Sequence, residues 1–205
     1  MGKRQKVSFG TVKATTELDA KQIRVGGDPY NEEPGGQTGR IVDGGDVTPS
    51  TAIAASAGLV KESVERFGDI IKTTLVLDLT GLKSVATLGD IIGDTGVSYI
   101  GQVTAAINGT IFRGEVNCGE VPLTGDDDID LYAATEATGA YDGAIGDLTE
   151  TALMAAGAAL AIGTAHPLTA LPVADAYLYL TAGAGDTAGT YTAGVISIEL
   201  WGYAS

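Results

Sequence analysis

Apolar and polar residues alternate with a period of two in three stretches of the chain. In TTLVLDLT (73–80), AYLYLT (176–181) and GVISIELWGY (194–203), every second side chain is Leu, Ile or Val on one side. Successive side chains of a strand point to opposite faces, so this pattern predicts strands with one buried and one wetter face. Such strands favour an antiparallel sheet over a parallel sheet covered on both sides.

Two further segments predict local structure. In VTAAINGTIFRGEV (103–116), Asn108-Gly109 between two strand-like runs indicates a hairpin with a two-residue type I′ turn. This turn would pair Ile107 with Thr110. The segment DLTETALMAAGAALAIG (147–163) predicts a short helix or helical turn between strands, because Asp147 and Glu150 have the spacing of a capping box.

A change in composition divides the chain near residue 69. Residues 26–49 are rich in Gly and Pro with few apolar side chains, which predicts an extended and irregular segment. We therefore expect an N-terminal arm or attachment segment over residues 1–69. Residues 70–205 are expected to form an all-β domain, an antiparallel jelly-roll-like β-sandwich with one short helical insertion.

Charge is distributed unevenly along the chain. Residues 84–205 hold 15 acidic side chains and a single basic one, Arg113. Such a domain would repel a phosphate backbone, so nucleic acid is not an expected partner. The first 24 residues are basic instead and predict an arm that binds a negatively charged partner, including a copy of this chain. The basic residues of this arm are Lys3, Arg4, Lys6, Lys13, Lys21 and Arg24.

The sequence has few features that indicate a cellular compartment. Cys118 is the only cysteine, so an internal disulfide is not possible and an oxidising compartment is not required. We find no secretory signal and no apolar run long enough to span a bilayer. The expectation is a soluble protein made in a cytoplasm, with no membrane partner.

The acidic stretch GDDDIDLYAAT (125–135) is the most conspicuous candidate for chemistry. Asp126, Asp128 and Asp130 match the opening of a calcium loop, but the Gly and the bidentate Glu that such a loop needs later are Leu131 and Ala137. The segment predicts a solvated turn that leads into a strand with Ile129, Leu131 and Ala133 inward. The alternative interpretation is an intersubunit or structural cation, in which Asp128 and Asp130 share a surface calcium ion with a neighbouring chain and Asp126 is a further candidate ligand.

The other candidate catalytic groups lack the companions that their chemistry needs. Asp94-Thr95-Gly96 matches the aspartic-protease tripeptide, but a second copy of the motif is missing and a dyad needs two. His166 is the only histidine and precedes Pro167 in an expected loop, and Cys118 is expected to be a small buried residue. We therefore expect a protein that is not an enzyme and has no cofactor.

Five stretches carry a resemblance to a known family: TTLVLDLTGL, YIGQVTAAINGTIFRGEV, DDDIDLYAATEATG, LTALPVADAYLYL and the closing GTYTAGVISIELWGYA. Through these stretches, residues 70–205 resemble small virion structural proteins of marine tailed bacteriophages. The resemblance implies a jelly-roll capsid decoration or cement protein, present as a homotrimer on the outer head surface and assembled in the host cytoplasm. Its partner would be the lattice of the major capsid protein.

Outward-facing aromatic residues predict a subunit interface on this body, although a second sheet of the same chain would explain them equally well. These residues are Tyr177, Tyr179, Trp201 and Tyr203. A head or tail fibre component is an alternative function. A second alternative is a calcium-assisted carbohydrate-binding module that uses Asp126–Asp130 with Tyr132 or Tyr141.

Overall fold

A computed structural model describes residues 49–51, 53, 60–155, 157, 159–185 and 187–204. The basic residues of the predicted arm lie outside the described residues. The described residues contain eleven strands: β1 (Val60–Phe67), β2 (Ile70–Asp78), β3 (Lys83–Ser84), β4 (Gly101–Gln102), β5 (Thr110–Leu123), β6 (Ile129–Ala134), β7 (Glu150–Met154), β8 (Ala165–Pro167), β9 (Tyr177–Ala182), β10 (Gly189–Thr190) and β11 (Ala193–Tyr203).

The strands form two main antiparallel sheets and one small sheet. The five-stranded sheet has the order β1-β2-β11-β5-β8, the four-stranded sheet has the order β4-β9-β6-β7, and β10 pairs with β3. If β1, β3 and β10 are left aside, the remaining eight strands can be renumbered 1 to 8 in chain order. Their orders in the two main sheets are then 1-8-3-6 and 2-7-4-5. This is the strand arrangement of a jelly roll, so the predicted all-β antiparallel sandwich is confirmed.

The core lies between the two main sheets. All three of the strands predicted by alternation are present, and their apolar sides face inward. Leu75, Leu77, Ile196 and Ile198 of the larger sheet belong to the same buried cluster as Leu178 and its neighbours in the smaller sheet. Burial of these rows is the main stabilising contribution to the sandwich.

A second, smaller cluster lies on the other side of the four-stranded sheet. Ile91 and Ile145 pack there against Ala134 and Tyr179. Ile91 reaches this position because it makes an antiparallel bridge with Thr181 of β9. One part of the outer face of this sheet is therefore covered by connecting segments rather than exposed to solvent.

The predicted hairpin at Asn108-Gly109 is wrong. Ala105–Asn108 form a short helix, α1, and β5 begins after it. The Asn108 side chain accepts a hydrogen bond from Thr104 N at 2.7 Å and donates one to Thr73 Oγ1 at 2.9 Å. These bonds stabilise a closed helical turn, and the partner on β2 is too distant in sequence for a local pattern to reveal.

The position predicted for the helical insertion is also wrong. Within residues 147–163 the helical part is the end of a 3₁₀ turn, Ile145–Asp147, and β7 follows it. Leu153 and Met154 of β7 are buried in the core, and Gly157 has a positive φ of 62°, which a right-handed helix does not allow. Pairing with β6 and burial of these two side chains prevail over the helix propensity of the Ala-rich run.

The predicted boundary at residue 69 falls inside the five-stranded sheet. β1 ends at Phe67, and Phe67 pairs with Ile70 across the turn. Ile53 belongs to the main core cluster and is fully buried. The body therefore includes residues that precede the boundary, and the arm prediction stays a prediction for residues 1–48.

Candidate functional site

The acidic segment after β5 is buried, so the predicted solvated turn is wrong. Ile129, Leu131 and Ala133 face inward as predicted, but Asp126, Asp128 and Asp130 are also nearly inaccessible to solvent. Their cover comes from distant parts of the chain, and the local sequence carries no signal for it. The segment is therefore part of the structural interior.

Hydrogen bonds to the backbone hold this segment in place. Asp128 N donates to Asp126 Oδ1 at 3.0 Å, and Ala184 N donates to Asp128 Oδ2 at 2.9 Å. Tyr191 Oη donates to the Asp126 carbonyl oxygen at 2.7 Å, and burial raises the pKa of that tyrosine. A Cβ on Gly183 would lie 2.6 Å from the Asp128 carbonyl oxygen, so the loop after β9 fits this segment only with glycine there.

Because of these hydrogen bonds, fewer carboxylate oxygens of the acidic segment are available to coordinate a metal ion. Among the residues that the structure describes, no group of three or more His, Cys, Asp or Glu side chains is arranged to hold one. Asp128 Oδ1 is buried and makes no hydrogen bond to a described residue. Asp130 lies opposite Thr181 in the β6–β9 pair. The arrangement anchors the β9–β10 loop.

Asp94, of the Asp-Thr-Gly tripeptide, forms an ion pair. Lys83 Nζ lies 2.5 Å from Asp94 Oδ1, and this hydrogen bond raises the pKa of the lysine. A cation at this distance favours the ionised carboxylate, whereas an aspartic-protease dyad needs two carboxyl groups that share a proton. The contact ties Asp94 to β3, where Lys83 and Gly93 also form a bridge.

His166 and Cys118 lie on neighbouring strands but are not bonded to each other. His166 is paired with Val116 in the β5–β8 ladder, so it belongs to a short strand rather than to the expected loop. The Cys118 thiol is buried, as predicted, and donates to the Glu120 carbonyl oxygen at 3.3 Å. Burial raises the pKa of this thiol, which keeps it in the unreactive protonated form.

The four aromatic residues predicted as a subunit interface do not form one surface. Tyr177 and Tyr179 are on β9 of the four-stranded sheet, and Trp201 and Tyr203 are on β11 of the five-stranded sheet. Tyr179 is fully buried, with its hydroxyl donating to the Glu136 carbonyl oxygen at 2.8 Å. Two separate surfaces follow, one on each sheet.

The first surface lies at one end of the outer face of the five-stranded sheet, and we call it the aromatic end. Its exposed members are Phe67, Ile70, Phe112 and Tyr203, with exposed fractions of 55%, 38%, 42% and 52%. The register places Tyr203 beside Ile70, and Ile70 beside Phe67. Phe112 and Tyr203 are in contact, with ring centroids 4.7 Å apart.

Trp201 stands in the next row of the same face, between two cations. The Arg113 guanidinium carbon lies 4.7 Å from the ring centroid and Lys72 Nζ lies 5.4 Å from it. Each cation also contacts a carboxylate, because Lys72 pairs with Glu199 at 2.9 Å and Arg113 with Glu115 at 3.0 Å. These contacts position the indole ring, and each of the two cations is paired with a carboxylate.

The second surface is on the outer face of the four-stranded sheet, and we call it the tyrosine face. It consists of Tyr99, Tyr132 and Tyr177, which are half-buried, together with Glu136 and Glu150. The Tyr99 and Tyr177 rings meet edge to face with centroids 5.0 Å apart. The register places Tyr177 and Glu150 on either side of Ala134, so the tyrosines and Glu150 share one side of the sheet.

The tyrosine face is electrostatically negative. Glu136 accepts hydrogen bonds from Thr149 Oγ1 at 2.7 Å and from Thr149 N at 2.9 Å, and these bonds lower the pKa of the carboxyl group. The pKa of Tyr132 is raised by burial and by the charges of Asp130 and Glu150. The acidic side chains of this face therefore lie close enough to the aromatic rings to interact with them.

Comparison of the chain with protein-family models, with curated proteins and with solved structures finds no match. In the described part of the chain, no helix is both long and apolar enough to cross a membrane.

Proposed function

We propose that the protein is a structural component of a phage virion, a capsid decoration or cement protein that binds and stabilises the head lattice. The observation that carries the proposal is the aromatic end, an exposed apolar cluster on the outer face of a jelly-roll body. Exposed apolar patches next to polar residues mark protein interaction sites. The resemblance of residues 70–205 to virion structural proteins and the jelly-roll strand order agree with this role.

The mechanism is adhesion rather than catalysis. Aromatic residues and arginine contribute most of the binding energy in protein interfaces, and the aromatic end offers Tyr203, Phe112 and Phe67 beside Trp201 and Arg113. Because the cations already hold the Trp201 ring, little side-chain entropy is lost when a partner covers it. A homotrimer, with the arms reaching capsid subunits, would add avidity across the lattice.

Binding to purified heads lacking this protein tests the aromatic end. We expect the double substitution Phe112→Ser and Tyr203→Ser to weaken co-sedimentation with heads by at least about tenfold, since each exposed aromatic contributes on the order of 1 kcal/mol or more. Val173→Ser is the matched control, because Val173 is exposed to 61% but lies outside the aromatic end. Equal binding by the double variant and the control would refute an adhesive role for this surface.

Deletion of residues 1–48 tests the arm. We expect a folded body with an unchanged melting temperature that no longer attaches to heads. Retained attachment would show that the arm mechanism is wrong. Electron microscopy of particles carrying a labelled copy gives the location, and label on the tail would favour the fibre alternative over decoration of the head.

A further inference from the structure

Among the residues that the structure describes, those of the tyrosine face are carboxylates and aromatic rings, with no basic side chain. Residues 84–205 contain one basic side chain, Arg113, and that residue lies on the outer face of the opposite sheet. Lys83, which precedes this region, is already paired with Asp94. Carboxylates and tyrosine rings at one surface, with no local cation, are complementary to a partner that supplies Lys or Arg.

The chain itself contains a segment with this chemistry. The first 24 residues contain six basic and two acidic side chains, which gives a local charge of 6 − 2 = +4. The basic residues recur at separations of one to eight residues up to Arg24, so an extended segment would present cations at several points along a surface. In the sequence, residues 25–48 lie between this segment and the first residue that the structure describes, Pro49.

One of the first described residues contacts a residue of this surface. Ser50 N donates a hydrogen bond to the Tyr99 carbonyl oxygen at 2.9 Å.

We propose that the tyrosine face binds the basic N-terminal segment, residues 3–24, of a second copy of this chain. The inference rests on the proposed function, because an arm ties a lattice together only when it binds outside its own subunit. Glu150 and Glu136 pair with Lys or Arg side chains of the incoming segment, and Tyr177 and Tyr132 offer ring faces to the same cations. Single contacts of this kind are weak at an exposed surface, so affinity comes from several of them along the segment.

A peptide titration tests the contact directly. The probe is a synthetic peptide of residues 1–24, and the acceptor is the full-length protein in which the six arm cations are replaced by Gln (K3Q, R4Q, K6Q, K13Q, K21Q and R24Q), so that its own arm does not compete. Calorimetry at low salt should show binding that weakens as salt is raised, because the Debye length falls from about 10 Å at 0.1 M to about 3 Å at 1 M. A peptide with the same six Gln should not bind.

Substitutions in the acceptor locate the binding surface. Glu150→Gln with Tyr177→Leu, made in the same acceptor, should weaken peptide binding about 3- to 30-fold, which corresponds to the loss of one exposed ion pair and one cation–π contact. Glu65→Gln is the matched control, since it removes one charge from β1 in the other sheet. Circular dichroism melts confirm that each acceptor is folded. Equal effects of the two changes, or no binding of the peptide, would overturn the proposal.

Sedimentation of the full-length protein distinguishes a second copy from the same copy. We expect concentration-dependent association that the six-Gln variant lacks. A protein that stays monomeric well above the dissociation constant of the peptide would contradict binding between copies. Attachment to heads is measured separately. The peptide can fail to bind although deletion of residues 1–48 abolishes attachment, and it can bind although attachment survives that deletion. The two proposals therefore fail independently.

Discussion

At the scale of single residues, Tyr179 is the most strongly buried aromatic group on the four-stranded sheet. Its hydroxyl donates to the Glu136 carbonyl oxygen at 2.8 Å and accepts from Gly139 N at 3.2 Å. Burial raises the pKa of Tyr179 to about 12. The residue therefore holds the segment 136–139 on the sheet through a hydroxyl that must stay protonated.

This pKa predicts a loss of stability in alkali. Below about pH 10, Tyr179 is protonated in both folded and unfolded chains, and it makes no contribution to the pH dependence. Between about pH 10 and 12 the unfolded chain releases this proton and the folded chain keeps it, so the free energy of unfolding falls, by about 2–3 kcal/mol from this group. Urea unfolding measured across this range should show the decline.

The variant Tyr179→Phe isolates the contribution of this hydroxyl. It should reduce stability near neutral pH by about 1 kcal/mol, because the hydrogen bonds to Glu136 and Gly139 are lost. It should also reduce the slope of the free energy of unfolding against pH in alkali by the contribution of about one titrating proton. Tyr203→Phe, at an exposed position on β11, is the control. An unchanged alkaline slope in Tyr179→Phe would contradict the assignment.

In the acidic segment, the sequence predicts which side chains face inward but not which polar side chains are buried. Alternation in IDLYAA was sufficient to predict the inward positions Ile129, Leu131 and Ala133. The burial of Asp126 and Asp128 could not be predicted, because it depends on Ser84, Ala184 and Tyr191, which come from other parts of the chain. The local pattern shows which side of a strand is apolar. Whether other parts of the chain bury its polar side depends on the tertiary structure.

At the scale of elements, the long amphipathic strands were predictable and the turns were not. β2, β9 and β11 each alternate over at least six residues, so burial of one side determines their structure regardless of context. The Asn-Gly pair before β5 is different, since both a type I′ hairpin and a short helix tolerate it. The Asn108 contact with Thr73 of β2 favours the helix, and it joins residues 35 positions apart.

A substitution at Asn108 separates the two local structures. In a type I′ hairpin Asp replaces Asn with little cost, because both residues adopt positive φ. In α1, Asn108→Asp keeps the acceptor for Thr104 N but removes the donor to Thr73 Oγ1 and buries a carboxylate, so we expect a loss of about 1–3 kcal/mol. Chemical denaturation measures the change.

Asn117→Asp on β5 controls for the added charge, because Asn117 is only partly buried. A combined Thr73→Val and Asn108→Asp variant completes a double-mutant cycle with the two single changes. Full additivity, or a cost at Asn108 no greater than at Asn117, would contradict the role of this contact.

At the scale of the whole molecule, the jelly roll separates the aromatic residues that the sequence presents as one group. β9 and β11 are close in sequence but belong to opposite sheets, as the 1-8-3-6 and 2-7-4-5 orders require. The outward sides of these two strands therefore point away from each other. This topology places an aromatic surface on one sheet and an acidic, tyrosine-lined surface on the other.

Two truncations test where the folded body begins. Deletion of residues 1–48 leaves Ile53 and β1 in place and should change the free energy of unfolding by less than about 1 kcal/mol. Deletion of residues 1–69 removes β1, and with it the fully buried Ile53 and Val64, which is exposed to only 7%. Loss of two such side chains costs on the order of 4 kcal/mol or more, and the paired edge of β2 becomes an open edge.

We therefore expect the protein that lacks residues 1–69 to melt at a markedly lower temperature and to aggregate in size-exclusion chromatography. The protein that lacks residues 1–48 should elute as a defined species. The free edge of β2 is hydrophobic on its inner side, at Ile71, Leu75 and Leu77, so pairing with other chains is the expected mode of aggregation. If both truncations melt at the same temperature, β1 contributes nothing to the body, and the fold begins at β2 as the sequence predicts.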